Sequence, residues 1–247
     1  MKRFALVLAA SALAAGSAFA ADLPAKAPVY KAPVAAPIFS WTGFYIGVNA
    51  GYSWGRQDNS LQATGGGIIS GNSNSDKING FIGGGQIGYN WQINQFVLGI
   101  EADLQASGQK GDGTFFVPGT AVILVVPPTN FTYTDKLDWF GTVRGRLGFA
   151  MDRWLPYVTG GWAFGRGTVS GSSTGAIVST FSGSKNYNGW TLGGGLEYAF
   201  DRNWSVKAEY LYFDFGTGPT VAVTPAVNVV SGKMTDNIAR LGVNYRF

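Results

Sequence analysis

The 247-residue chain contains no cysteine and no histidine. It therefore cannot form a disulfide, a thiolate zinc site, a cysteine nucleophile or a Ser-His-Asp relay. Charge is scarce too, at 13% of residues against a usual quarter. The net charge is +4, and two of the positive residues, Lys2 and Arg3, stand in the first three positions. No run of Lys or Arg could track a phosphate backbone, so nucleic acid is not an expected partner. After the first 20 residues no stretch approaches the ~20 consecutive apolar residues of a membrane helix. Helices in general are disfavoured, because 37 residues are glycine, each costing a helix interior about 1 kcal/mol relative to alanine. What is plentiful is aromatic: 15% of the chain is Phe, Trp or Tyr. Few charges with many aromatic residues argue against disorder.

Residues 1–20 read as a secretory signal. Lys2-Arg3 precede an apolar run from Phe4 to about Ala15, and Ala18-Phe19-Ala20 supplies a small-residue cleavage site. Residues 21–40 carry Pro24, Pro28, Pro33 and Pro37 among Ala, Val and two Lys. Prolines at that spacing remove ladder donors and favour extended chain, which predicts a flexible periplasmic tail.

From Trp41 onward the pattern has a period of two, and residues 41–247 form one domain. Asn237–Phe247 shows the design most clearly. Ala239, Leu241, Val243, Tyr245 and Phe247 share one face; Ile238, Arg240, Gly242, Asn244 and Arg246 share the other. Seven earlier segments repeat it, and charged residues are absent from all eight apolar faces. In the fourth, the outward set is Leu137, Trp139, Val143, Leu147 and Phe149. Short turns at 92–95, 150–153 and 201–203 alternate with long Gly/Ser/Thr/Asn-rich connections at roughly 55–78, 107–134, 166–187 and 214–235. The fold class predicted is all-β: an eight-stranded antiparallel transmembrane barrel with short periplasmic turns and long extracellular loops.

Five strands carry outward aromatic residues ten positions apart: Phe44 and Trp54, Phe81 and Trp91, Trp139 and Phe149, Trp154 and Phe164, Trp190 and Phe200. Ten steps of about 3.3 Å, tilted by about 40°, rise roughly 25 Å, the height of the apolar band that outer-membrane barrels expose. The periplasmic girdle consists of Phe44, Trp91, Phe96, Phe149, Trp154, Phe200, Trp204 and Phe247. A soluble barrel has no need of such a belt.

The inward phase carries Glu101, Asp103, Glu197 and Glu209 with Arg144, Arg146, Lys207 and Arg240. Eight strands make a barrel just wide enough to be filled by side chains, and equal numbers of acids and bases can neutralise one another. This predicts a polar plug, with a narrow ion path as the alternative. Gly83-Gly84-Gly85-Gln86-Ile87-Gly88 matches G-x-G-x-x-G, but the dinucleotide reading needs a helix to open there. Tyr89-Asn90-Trp91 continues a strand instead. No nucleophile with a base partner is present, and no cofactor is expected.

The runs Trp41–Gly47 (WTGFYIG), Gly80–Trp91 (GFIGGGQIGYNW), Pro156–Gly161 (PYVTGG), Lys207–Tyr212 (KAEYLY) and Arg240–Phe247 (RLGVNYRF) resemble the outer-membrane immunogenic protein family, small OmpA-type barrels of Gram-negative bacteria. The resemblance implies an outer-membrane surface protein with an envelope-stabilising or host-facing role. It implies outer-membrane lipid or lipopolysaccharide and the barrel-assembly machinery as partners, with Tyr245 and Phe247 as the assembly signal. Host or environmental ligands would engage the long loops, and some relatives are described as haemin binders. It brings no catalytic residues.

Overall fold

The computed structural model describes residues 39–63, 68–117, 128–175, 178–217, 220–224 and 227–247. The proposed signal and most of the proline-rich tail lie outside these residues. The described strands are β1 (Gly43–Ala63), β2 (Ile68–Ile93), β3 (Phe96–Val117), β4 (Thr129–Phe149), β5 (Trp154–Gly175), β6 (Ser179–Ala199), β7 (Trp204–Thr217), β8 (Thr220–Thr224) and β9 (Val227–Arg246). All described pairings are antiparallel, and β1 pairs with β9, so β1 to β7 and β9 close into a ring of eight. Closure leaves the ring no ladder edge between the two girdle levels, as a strand structure in hydrocarbon requires. The short β8 joins only β9, opposite Val227–Val230.

The three tight connections sit at one rim. Two turn on left-handed residues, Asn94 and Asp152, side chains that tolerate that conformation because they bond locally to backbone. The amide of Phe247 donates to the carbonyl of Phe44 at 3.0 Å, fastening the last residue to the first strand.

At the other rim the strands run further than the composition of the connections indicates. Much of the Gly/Ser/Thr/Asn-rich sequence is laddered: β1 stays paired with β2 through Ser60↔Ser73, and β3 with β4 through Val117↔Thr129. β2 has 26 residues and β3 has 22, while about ten to twelve suffice to cross the apolar band. The barrel wall thus continues well past the outer aromatic girdle.

Near that girdle the ladder slips at several places: between Gln57 and Asn59, Ala106 and Gln109, Leu137 and Trp139, and Asp214 and Thr217. Bulges gather at barrel rims because an extra residue re-aims the strand. One of them corrects the sequence reading. Leu137 does not share the outward face of Trp139; the slip turns it inward, where it is 1% exposed.

Candidate functional site

The outward phase carries the aromatic girdles. Phe44, Trp91, Phe96, Phe149, Trp154, Phe200, Trp204 and Phe247 are all exposed at the short-turn rim. The register keeps them level, with Phe96 opposite Phe149 and Trp204 opposite Tyr245. Their rings meet edge to face at 5.7 and 5.1 Å, the preferred aromatic geometry. At the outer level Trp54, Phe81, Trp139 and Trp190 are exposed and Phe164 is half-buried. Phe164 packs against Trp139 with centroids 6.2 Å apart. Among the described residues the outward faces between the two levels carry no charge.

Inside, the structure places the eight charges expected on the inward phase in one buried band. Arg144 lies at its centre, bonded to Glu101, to Asp103 at 3.0 Å and to Glu209 at 3.0 Å. Arg240 bridges Asp103 at 3.1 Å and Glu209 through its Nε at 2.7 Å. The Lys207 Nζ donates to both oxygens of Glu101 at 2.9 Å. Arg146 pairs with Glu197, whose other oxygen accepts from Ser205 at 2.6 Å and Asn244 at 2.9 Å. Each carboxylate is held by at least one cation and one neutral donor, as buried charges require.

Two tyrosines that the sequence reading left out complete the band. Tyr45 donates to Glu101 at 2.7 Å and Tyr157 to Glu209 at 3.0 Å. The Arg146 guanidinium also stacks 3.7 Å from the Tyr157 ring centroid. Both tyrosines occupy inward positions of their strands, so the period-two pattern would have found them. Gly88 and Gly195 face these rings, and a Cβ at either position would collide with a tyrosine. That accounts for the last glycine of the G-x-G-x-x-G match without a nucleotide.

Apolar layers close the band above and below. Toward the short-turn rim, Trp41 is 1% exposed and packs with Val97, Leu155, Ala199 and Phe39. Its indole donates to the carbonyl of Asp152 at 3.1 Å, and the Arg246 guanidinium lies 4.6 Å from the Phe39 ring and 5.2 Å from the Trp41 ring. Toward the outer rim Ile78, Leu137, Phe140, Leu211, Phe213, Phe215 and Ile238 form a second buried cluster. Phe140 meets Phe213 edge to face at 5.5 Å.

Beyond that cluster a second polar group fills the extended wall. The Asn59 Nδ2 donates to Asp135 at 2.8 Å and Asp76 at 3.1 Å, and Tyr133 donates to Asp76. Burial and the neighbouring Asp76 and Asp112 raise the Asp135 carboxyl to about 6. Among the described residues no group of three or more His, Cys, Asp or Glu is arranged to hold a metal ion.

A closed antiparallel ring whose outer face carries no charge between two aromatic girdles, around a band of mutually neutralising buried charges, defines a transmembrane β-barrel. The chain belongs to the outer membrane protein β-barrel domain family, whose model matches residues 5–247. It is 40% identical over 249 residues to the 31 kDa outer-membrane immunogenic protein of Brucella melitensis, spanning 96% of each chain. It is 29% identical over 248 residues to the 25 kDa outer-membrane immunogenic protein of Brucella abortus, covering 100% of this chain and 99% of that one. Among solved structures, Neisserial surface protein A matches 83% of this chain and 98% of its own at 14% identity and a TM-score of 0.39. OprG of Pseudomonas aeruginosa matches 83% and 97% at 13% identity and a TM-score of 0.47. The protein is thus an outer-membrane protein of an immunogenic surface-antigen family.

Proposed function

We propose that this protein is a closed, non-enzymatic barrel that reinforces the outer membrane and displays its extended outer wall and loops at the surface. The observation that carries the reading is the threefold filling of the interior. The Trp41 cluster, the charge band and the Phe140 cluster lie in series, and each is buried. A hydrated ion would have to displace two largely apolar layers and one neutralised ion-pair layer; the outer layer holds one carboxylate, Asp236, already bonded to Ser53 and Gln109. The interior carboxylates also make poor general bases, because Glu101, Asp103, Glu197 and Glu209 all face cations. A charge band in which every carboxylate already holds a cation suits a structural wall better than a gate.

Planar-bilayer recording of the refolded protein tests this directly. Insertion is expected to leave the membrane without discrete conductance steps in concentrated potassium chloride. Reproducible steps from the wild-type chain would overturn the reading in favour of a narrow solute pore.

A further inference from the structure

We propose that the interior of the outer wall holds a divalent-cation site suited to calcium, formed by the carboxylates of Asp76 and Asp135 and the side-chain oxygen of Asn59. Asn59 comes from β1, Asp76 from β2 and Asp135 from β4, and the inward phase gathers them beyond the Phe140 cluster. Between β2 and β4, β3 supplies Gly111 and Gly113, which lie opposite Asp135 and Tyr133. A Cβ at Gly113 would collide with the Tyr133 hydroxyl and come within 2.7 Å of an Asp76 oxygen. Glycine at that position keeps the space beside the carboxylates open.

The first observation that points to a cation is the charge. Asp76 and Asp135 approach one atom, Asn59 Nδ2, at 3.1 and 2.8 Å, so the two carboxylate oxygens are no more than about 6 Å apart. Like charges at that distance repel more strongly inside a protein than in water. Among the described residues neither carboxylate forms an ion pair. Lys77 and Lys136, the next residues along each strand, are exposed on the outward phase, and the outward Asp112 adds negative charge nearby. A neutral amide stands where two acids call for a cation.

The second observation is independent of the acids' spacing. Asn59 is 2% exposed and Asp135 is 3% exposed, yet Oδ1 of each is buried without a hydrogen-bond partner. Buried acceptors are normally paired. The two ends of the Asn59 amide have nearly the same shape, so half a turn of the terminal torsion puts its oxygen where its nitrogen stands. That orientation is unfavourable against two carboxylates alone and favourable around a cation. Calcium accepts carboxylate and amide oxygens at 2.3–2.6 Å in irregular geometry and so joins oxygens about 5 Å apart, whereas magnesium demands a tighter octahedron. Asp76 is half-buried, which gives the site contact with the outer medium. With two carboxylates the site belongs to the weak extracellular class, with a dissociation constant on the order of 1 mM. The bound ion would tie β1, β2 and β4 together where the wall stands clear of the membrane. The inference does not depend on whether the interior conducts.

Urea unfolding of the refolded, chelator-treated protein at pH 7.5 tests it, in neutral detergent free of lipopolysaccharide. The additions are 10 mM calcium chloride (about ten times the expected dissociation constant), equal magnesium chloride, or sodium chloride at matched ionic strength. Calcium should raise the folded-to-unfolded ratio about tenfold over the sodium control, and magnesium less than about threefold. Asp76→Asn and Asp135→Asn keep the side-chain size, and each should cut the calcium effect to about twofold or less. Asp135→Asn also relieves the repulsion, so any advantage it has over wild type in chelator should narrow about tenfold in calcium. Asp236→Asn, which changes a buried acid bonded to Ser53 and Gln109 instead, should leave the calcium effect intact. No calcium effect beyond the sodium control would overturn the proposal. So would a calcium effect that survives Asp76→Asn/Asp135→Asn, because the ion would then sit on the exposed Asp58, Asp112 or Asp138.

Discussion

Arg144→Met removes the central cation of the interior without changing the wall. In the folded protein Arg144 is 1% exposed and neutralises parts of Glu101, Asp103 and Glu209. After the substitution those three carboxylates face only Lys207 and Arg240, leaving one uncompensated negative charge in a buried space. Breaking a buried ion pair by deleting one partner costs about 3–5 kcal/mol. The lower part of that range applies, because Glu101 keeps Lys207 and both Asp103 and Glu209 keep Arg240. For a domain of this length the cost corresponds to a drop of roughly 10 °C in melting temperature. The assay is the heat-modifiable gel shift of the detergent-refolded barrel, read against temperature. Arg144→Met/Glu209→Gln restores neutrality and should recover at least half of the loss. A single variant that melts within 1 °C of wild type, at the precision of the assay, would refute the reasoning. So would a double variant less stable than the sum of its single changes.

Asp135→Asn tests the acidic group in the outer wall. Burial raises this carboxyl to about 6, above the ~3.9 of an unfolded aspartate, so the folded state binds the extra proton between those values. Its contribution to stability therefore grows as the pH falls from above 6 toward about 4. The asparagine variant should be more stable than wild type at pH 7.5, by of order 2 kcal/mol, and should lose that advantage near pH 4. Urea titration at the two pH values measures it, and an equal effect at both would contradict the assignment. Deleting Phe247, whose amide closes onto Phe44 and whose ring packs 5.1 Å from Tyr245, should slow folding into liposomes. Insertion at the wild-type rate would remove the proposed role of this residue in assembly.

How far the sequence could be read follows from the geometry of a strand. Alternation along Asn237–Phe247 is strictly local, so the lipid face, the inward charges and the girdle residues could be assigned from spacing alone. The ion-pair partners could not. Lys207 of β7 reaches Glu101 of β3, and Arg144 of β4 reaches Glu209 of β7. Such meetings across the lumen depend on strand tilt and stagger, which no single segment encodes. The inward apolar cluster was equally hidden, because Phe213 and Ile238 follow the same alternation as the charged Lys207 and Arg240 further down their strands. Leu137 was misassigned for a different reason. A one-residue slip reverses every side chain beyond it, and the bulge beside Trp139 has no composition signature in Lys136-Leu137-Asp138. The length of the outer wall was obscured by residue type: Ser, Asn and Gly suggest loops, yet here cross-strand pairing overrides local propensity.

The claim on which everything rests is that hydrocarbon touches one face of each strand and the sealed interior touches the other. The chain has no cysteine, so a nitroxide can be attached at one engineered cysteine at a time along β3, from Val97 to Leu104, in reconstituted liposomes. The account predicts that labels at Leu98, Ile100, Ala102 and Leu104 collide readily with dissolved oxygen and poorly with a water-soluble nickel complex. Labels at Val97 and Gly99 should be shielded from both. Collision with the nickel complex at Ile100 or Ala102, or accessibility without a two-residue period, would contradict the barrel's placement in the membrane.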